Sequence, residues 1–143
     1  MSLDAKGRIV LPARYRDRLL EICQSQLVVT IDTDQPCLLI YPLPEWELIE
    51  EKIEALPSFN PTTRRIQRLL IGHATEIEVD GNGRMLLSAP LRDYAQLGKK
   101  VVLIGQGKKF ELWDEVVWTE RMQEWLGDGN SDEMPDALAE LTL

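Results

Sequence analysis

One short phrase occurs twice in this chain, as Asp4-Ala5-Lys6-Gly7-Arg8 and as Asp80-Gly81-Asn82-Gly83-Arg84, each followed by an apolar triplet. Internal duplication constrains the fold before any single residue is interpreted, because each copy must be one structural unit built to the same plan. A shift of 76 positions also superposes Leu11 on Leu87, Ala13 on Ala89, Arg16 on Arg92 and Asp17 on Asp93. After a slip of three residues the match resumes, with Val28, Val29 and Ile31 falling on Val101, Val102 and Ile104, and both copies then reach a tryptophan, Trp46 and Trp118. Two units of roughly 45 residues result, each near the size below which a core does not hold alone. They are expected to fold on each other or on other copies of the chain.

Composition narrows the class. With 44% hydrophobic and 28% charged residues in a chain of 143, the balance is that of a globular protein. No apolar run reaches the eighteen or so residues that span a bilayer and no signal peptide opens the chain, so a cytoplasmic protein with no membrane partner is expected. Cys23 and Cys37 form no CxxC pair, and His73 is the single histidine. A structural zinc needs about four such ligands, so no metal or other cofactor is expected and both thiols are read as reduced core residues. The His73 ring, just past Gly72, is expected to meet the last carbonyls of a helix.

A net charge of −8 argues at first against a nucleic-acid partner. The charge is uneven, however. Lys6, Arg8, Arg14, Arg16 and Arg18 crowd the first unit against Asp4 and Asp17, whereas Glu45, Glu47, Glu50, Glu51 and Glu54 load the next segment and the tail from Asp128 to Glu140 is acidic again. Arg64, Arg65 and Arg68 are read as partners for those glutamates in preference to a nucleic-acid contact.

Periodicity gives an α+β chain. Residues 3–11 read as a turn between short strands, and Pro12 opens a helix with Tyr15, Leu19 and Cys23 on one face. Leu27 to Asp32 and Cys37 to Tyr41 read as a hairpin. From Glu45, apolar residues Trp46, Ile49, Ile53 and Leu56 recur at helical spacing. Asn60-Pro61 starts a further helix that should end at Gly72. The plan then repeats. Thr75 to Val79 alternates as a strand, Ser88 caps a short helix, Val101 to Ile104 and Phe110 to Trp113 form a second hairpin, and Asp114 caps a helix carrying Trp118, Met122, Trp125 and Leu126. Beyond Gly127 the chain is expected to be mobile, with a helical turn at Ala137 to Leu141. The resulting divisions are a first repeat over 1–45, connecting helices over 46–73, a second repeat over 74–117, and a closing helix with an acidic tail over 118–143.

Within each phrase the chemistry supports two readings. Asp at the head of a turn accepts backbone N–H bonds, and Gly7 and Gly83 supply a positive φ. The reversal then brings Asp4 to Arg8 and Asp80 to Arg84, so one reading is a pair of ion bridges that fix the turns. In the other, an arginine held on a rigid hairpin points outward and grips a phosphate or the O6 and N7 edge of guanine. Lys6 favours the first copy for nucleic-acid contact, and Asn82 at the matching position leaves the second copy to assembly.

Several longer stretches carry a resemblance: Pro36 to Glu47, Arg68 to Ala74 and Lys109 to Asp114, together with the two Asp-x-x-x-Arg phrases. At these separations, and over the chain up to about Leu126, the sequence resembles the MraZ family of bacterial transcriptional regulators. The resemblance implies two AbrB-like swapped-hairpin β units in a small barrel-like core, joined and flanked by helices, with subunits closed into a homo-oligomeric ring. It implies binding to double-stranded DNA at tandem G-rich boxes upstream of the division and cell-wall gene cluster, usually in repression, and association with the nucleoid. Arg8 carries over as a DNA-contacting residue; Lys6, Arg14 and Arg16 join it on charge alone. Family members have several further residues before the first phrase, so a trimmed start is expected, with Met1-Ser2-Leu3 a vector remnant and DNA binding weakened by the shorter strand.

The alternative class is an oligomeric assembly or protein-interaction module that uses the same hairpins without touching DNA. An enzyme with a small-molecule substrate is the least supported reading. Ser25, Ser58 and Ser88 have no histidine at a recognisable spacing, and no glycine motif cradles phosphate, so no catalytic residue is assigned.

Overall fold

A computed structural model of the protein describes residues 1–128 together with Leu138, Glu140 and Leu141. Its elements are β1 Arg8–Val10, α1 Ala13–Cys23, β2 Gln26–Ile31, β3 Leu38–Pro42, α2 Leu43–Glu54 and α3 Pro61–Ile66, which runs into a π-helical turn Gln67–Ile71. The second half follows with β4 Thr75–Glu78, β5 Arg84–Leu86, α4 Ala89–Tyr94, β6 Val101–Gln106, β7 Lys109–Asp114 and α5 Glu115–Gly127. The expected α+β class is what forms. The expectations for the acidic tail fall mostly on residues 129–137, outside the described residues.

The two repeats exchange strands. β1 pairs antiparallel with β5, with Ile9 opposite Met85 at the centre of the register. β3 pairs antiparallel with β7, with Leu39 opposite Glu111 at the centre. Ile9 and Met85 are counterparts under the shift of 76, and Leu39 and Glu111 under the shift of 72 that matches the tryptophans. Each pairing therefore sets a residue against its own repeat, which defines an approximate two-fold axis inside one chain. The strand preceding each phrase follows the same rule. β4 lies along β2 of the first repeat, and Met1 to Leu3 reach the start of β6, where Leu3 N–H donates to Lys99 O at 2.8 Å and Val101 N–H to Met1 O at 3.0 Å.

The barrel-like core is not found among the described residues. β4-β2-β3-β7-β6 form an open five-stranded sheet, and β1-β5 stand as a separate two-stranded ribbon. With three residues each and only one another as sheet partners, β1 and β5 offer no strand that would join β4 to β6.

Both faces of the central strands are covered, which is why β2 and β3 read as continuous apolar runs rather than alternating ones. One face, with Leu27, Val29, Ile31, Leu38, Ile40 and Leu112, packs against Ile9 and Met85 beneath the ribbon. Burying side chains of this size stabilises by about 1.5–3 kcal/mol each. On the other face Val28, Leu39 and Tyr41 meet Trp46 of α2. The repeat preserves that contact: Tyr41 and Trp46 have ring centroids 5.7 Å apart, and their counterparts Trp113 and Trp118 lie at 5.6 Å.

Local signals were mostly where expected, with four differences. Pro12 occupies the N-cap of α1 rather than its first turn. α2 begins at Leu43, with Pro44 accommodated in its first turn. The Ser88 side chain makes no cap bond to α4. The helix opened by Asn60, whose side chain accepts from Thr62 N–H at 2.8 Å, widens into the π-turn instead of running regularly to Gly72. There Thr30, the one buried polar residue among the described residues, donates its hydroxyl to the Leu70 carbonyl at 2.7 Å. Gly72 is required next, because a Cβ would stand 2.1 Å from the Arg68 carbonyl oxygen.

Candidate nucleic-acid interface

The two phrases fold into superposable turns. In the first, Asp4 N–H donates to the Arg8 carbonyl at 2.9 Å and Gly7 N–H returns to the Asp4 carbonyl at 3.1 Å. Asp4 Oδ1 accepts the backbone N–H of Lys6 and of Arg8, both at 2.9 Å. Its second oxygen takes Arg8 Nε at 2.9 Å. Every one of these contacts recurs around Asp80, with Asn82 in place of Lys6 and Arg84 in place of Arg8. Both glycines sit at positive φ, +84° for Gly7 and +76° for Gly83, where L side chains are strained.

These bonds hold both aspartates ionised. The Arg8 backbone N–H, the largest influence, keeps the Asp4 carboxyl below its ordinary value; desolvation comes next and opposes it, and the Arg8 guanidinium and the Lys6 N–H add to the lowering. Asp80 is lowered in the same way by Arg84 and Asn82. A carboxylate accepting several N–H bonds favours its charged form. Each arginine is thereby gripped through Nε alone, and its terminal nitrogens make no further hydrogen bond among the described residues. The ion-bridge and outward-arginine readings are therefore compatible in one geometry, with the aspartate orienting the fork.

Strand pairing joins the two turns into one surface. Arg8 lies opposite Leu86 and Val10 opposite Arg84. Ile9 and Met85 point into the core, whereas Val10 and Leu86 are more than half exposed, at 53% and 57%. Alternation therefore puts Arg8, Val10, Arg84 and Leu86 on one outer face. Arg8 and Arg84 take diagonal positions on this face, each held by the aspartate of its own phrase, so the turn geometry is the same in both copies and the difference between them is Lys6 against Asn82 at the tip.

The remaining site residues fall in different places. Lys6 is exposed at the first turn's tip. Arg16 crosses to the other repeat, where it lies over Gly83 and donates through Nη1 to the Asn82 carbonyl at 3.1 Å. Its counterpart Arg92 lies over Gly7 in the same manner, with its Nε buried and unpartnered. The shift of 76 that superposes Arg16 on Arg92 is the sequence signal for this placement. Arg14 is turned onto the Tyr15 ring, 4.6 Å from its centroid. Arg64, Arg65 and Arg68 form no ion pair with the glutamates of α2; the ion pairs among the described residues are Asp4–Arg8, Asp80–Arg84 and Arg121–Glu124.

Both cysteines are buried free thiols. Asp32, Cys37 and Glu111 bring donor atoms within 4.8 Å of one another, but each already has a partner. Cys37 Sγ donates to Asp32 Oδ2 at 3.5 Å and Trp113 Nε1 to Glu111 Oε1 at 3.0 Å. Burial, then the carboxylates of Glu111 and Asp32, push the thiol upward, so it stays protonated. His73 Nδ1 meets the Leu69 carbonyl at 2.7 Å, as its position after the helix predicted.

A duplicated chain whose halves exchange strands and present paired arginines on a short β-ribbon defines a class of swapped-repeat protein. The model of the family described as MraZ protein matches it twice, over residues 1–69 and 70–138. The chain belongs to the MraZ family. It is 54% identical over 143 residues to the transcriptional regulator MraZ of Alkalilimnicola ehrlichii, covering all of this chain and 95% of that protein. The transcriptional regulator MraZ of Halorhodospira halophila is 55% identical over 145 residues, again across 100% and 95% of the two chains. That of Coxiella burnetii is 53% identical with the same coverage.

Proposed function

We propose that this chain is a DNA-binding transcriptional regulator that lays the outer face of the β1–β5 ribbon into the major groove. The observation that carries the reading is the pair of aspartate-held arginines, Arg8 and Arg84, on one exposed two-stranded surface. A major groove about 12 Å wide admits a two-stranded ribbon, and an arginine fork matches the O6 and N7 acceptors of guanine. Val10 and Leu86 supply apolar surface for thymine methyl groups beside them. Lys6 and the arginines over the turns, Arg16 and Arg92, are positioned for phosphates. The acidic total does not oppose this, since the glutamates concentrate on α2 and the ribbon turns carry their own local charge.

One ribbon makes few contacts, so occupancy must come from several copies meeting evenly spaced sites. That arithmetic, with the family resemblance, supports a homo-oligomeric ring on tandem G-rich boxes upstream of division and cell-wall genes, acting as a nucleoid-associated cytoplasmic repressor. The test is a fluorescence-anisotropy titration of tandem-box DNA, one-box DNA and a scrambled control at several salt concentrations. Preference for the tandem array with a steep salt dependence is expected. Equal affinity for the scrambled array would reduce the protein to an assembly module.

A further inference from the structure

The surroundings of the two phrases can be compared residue by residue, because the same bonds hold the strand that leads into each. Leu3 N–H donates to the Lys99 carbonyl at 2.8 Å, and Val79 N–H to the Ser25 carbonyl at 2.9 Å. Ser2 stands opposite Lys100 as Glu78 stands opposite Gln26. Lys99 is therefore the counterpart of Ser25, and Lys100 of Gln26. Side chains alternate between the two faces along extended chain, and residues opposite one another share a face. Met1, Leu3 and Val101 all pack against the core beneath the ribbon, so Lys99, opposite Leu3, leaves the sheet on the ribbon side. Lys100 leaves on the other side, where its Nζ donates to Ser2 Oγ at 3.3 Å.

On the ribbon side the first turn thus has two exposed cations, Lys6 at its tip and Lys99 in a cleft shared with Asp4 and Ala5. The second turn has Asn82 and Ser25 in those places. The aspartate–arginine clasp and the arginine over the glycine are common to both. Neighbouring acids leave the two lysines unpaired among the described residues. Asp4 is held by Arg8, and Asp93 is matched at the second turn by Asp17. The Asp114 carboxylate accepts the Gly98 and Val117 N–H groups. Glu115 N–H donates to the Lys100 carbonyl on the β7 edge of β6, the edge opposite Leu3. We propose that Lys99, supplied by the second repeat, is a DNA-backbone contact of the first turn and closes with Lys6 on a phosphate beside the Arg8 end of the ribbon. An ammonium on a flexible stem suits a phosphate as a point charge, whereas the clasped arginines suit base edges. This inference rests on the DNA-binding reading and adds to it a residue that neither phrase contains.

The experiment is a titration of one-box and scrambled DNA across a salt series with wild type, Lys99→Gln, Lys99→Arg and Lys100→Gln, at matched oligomer mass. Both lysines are exposed, so circular dichroism and melting temperature should match wild type in all three variants. Lys99→Gln should make the slope of log affinity on log salt shallower by about one, a loss of about fivefold near 0.15 M salt. The loss should be the same factor on both DNAs, because a phosphate contact carries no sequence information. Lys99→Arg should keep the wild-type slope, and so should Lys100→Gln, which removes the same charge from the adjacent residue on the far face. A wild-type slope in Lys99→Gln, an equal fall in Lys100→Gln, or a loss confined to one-box DNA overturns the proposal. Wild-type protein with no affinity for DNA would remove the DNA reading and this contact with it. DNA binding by wild type with an unchanged slope in Lys99→Gln would remove the contact alone.

Discussion

Replacing Gly83 with alanine tests the way the two repeats are locked together. At φ +76° an L residue costs about 1–2 kcal/mol. A Cβ there would also stand 2.0 Å from Arg16 Cδ and 2.7 Å from its Nε, which obliges Arg16 to leave. Its 3.1 Å bond to the Asn82 carbonyl is then lost, a further ~1 kcal/mol for a partly exposed charge-assisted bond. Gly83→Ala should therefore destabilise by roughly 2–3 kcal/mol, near 5–10 °C in melting temperature for a chain of this size. Two other glycines calibrate that figure. Gly107 has φ +70° with nothing within 4 Å of its Cβ, so Gly107→Ala should show the backbone cost alone, ~1–2 kcal/mol. Gly81 has open space and no positive φ, so Gly81→Ala should be neutral or stabilise by up to about 1 kcal/mol. The assay is denaturant unfolding of all three, plus Gly83→Ala in an Arg16→Ala background, where the Arg16 share should vanish. If Gly107→Ala costs as much as Gly83→Ala, or the double variant is additive within about 0.5 kcal/mol, Arg16 does not clasp the second turn.

Two further outcomes follow from the same geometry. Because Asp4 and Asp80 lie below their ordinary value of 3.8 when folded, the stability they contribute is fully present above that value and is lost as pH falls through the folded pKa. Carboxyl-carbon NMR should place both midpoints below 3.8, and a midpoint at or above it would exclude the hydrogen-bonded turn. Gly72→Ala must push a Cβ away from the Arg68 carbonyl oxygen at 2.1 Å, disturbing the turn that accepts the Thr30 hydroxyl. A loss on the order of 2 kcal/mol or more is expected in urea, with the m-value unchanged, and wild-type stability would refute the steric argument.

The hairpins, the helical faces and the glycine turns were legible because period, spacing and turn chemistry are local properties. Leu19 and Cys23 bury as their spacing requires, and Asp4 and Asp80 head their turns. Partner choice was not legible. Arg8, Ile9 and Val10 alternate out, in and out whichever strand lies beside them, so nothing local distinguishes β5 from another partner. The unequal roles expected of the two phrases rest on Lys6 against Asn82, a local difference at the tip, whereas the pairing that sets Arg8 and Arg84 on one face is not local. Arg16 and Arg92 show the same limit, since each lies over the other repeat's turn, a place set only by the internal two-fold relation. The open sheet and the π-turn are likewise tertiary outcomes. Thr30 and Gln67 hold the widened segment through bonds to Leu70 and Ile53, which no single window of sequence displays.

The most direct test of the ribbon as one DNA-reading unit is the affinity of Arg8→Ala and of Arg84→Ala for the same tandem-box DNA, at one salt concentration and at matched oligomer mass. Since the two arginines hold equivalent places on paired strands, each gripped by its own aspartate at 2.9 Å, each loss should amount to about 1–3 kcal/mol, roughly tenfold or more, and the two should be comparable. Weakened binding by Arg8→Ala with wild-type affinity for Arg84→Ala would contradict the account.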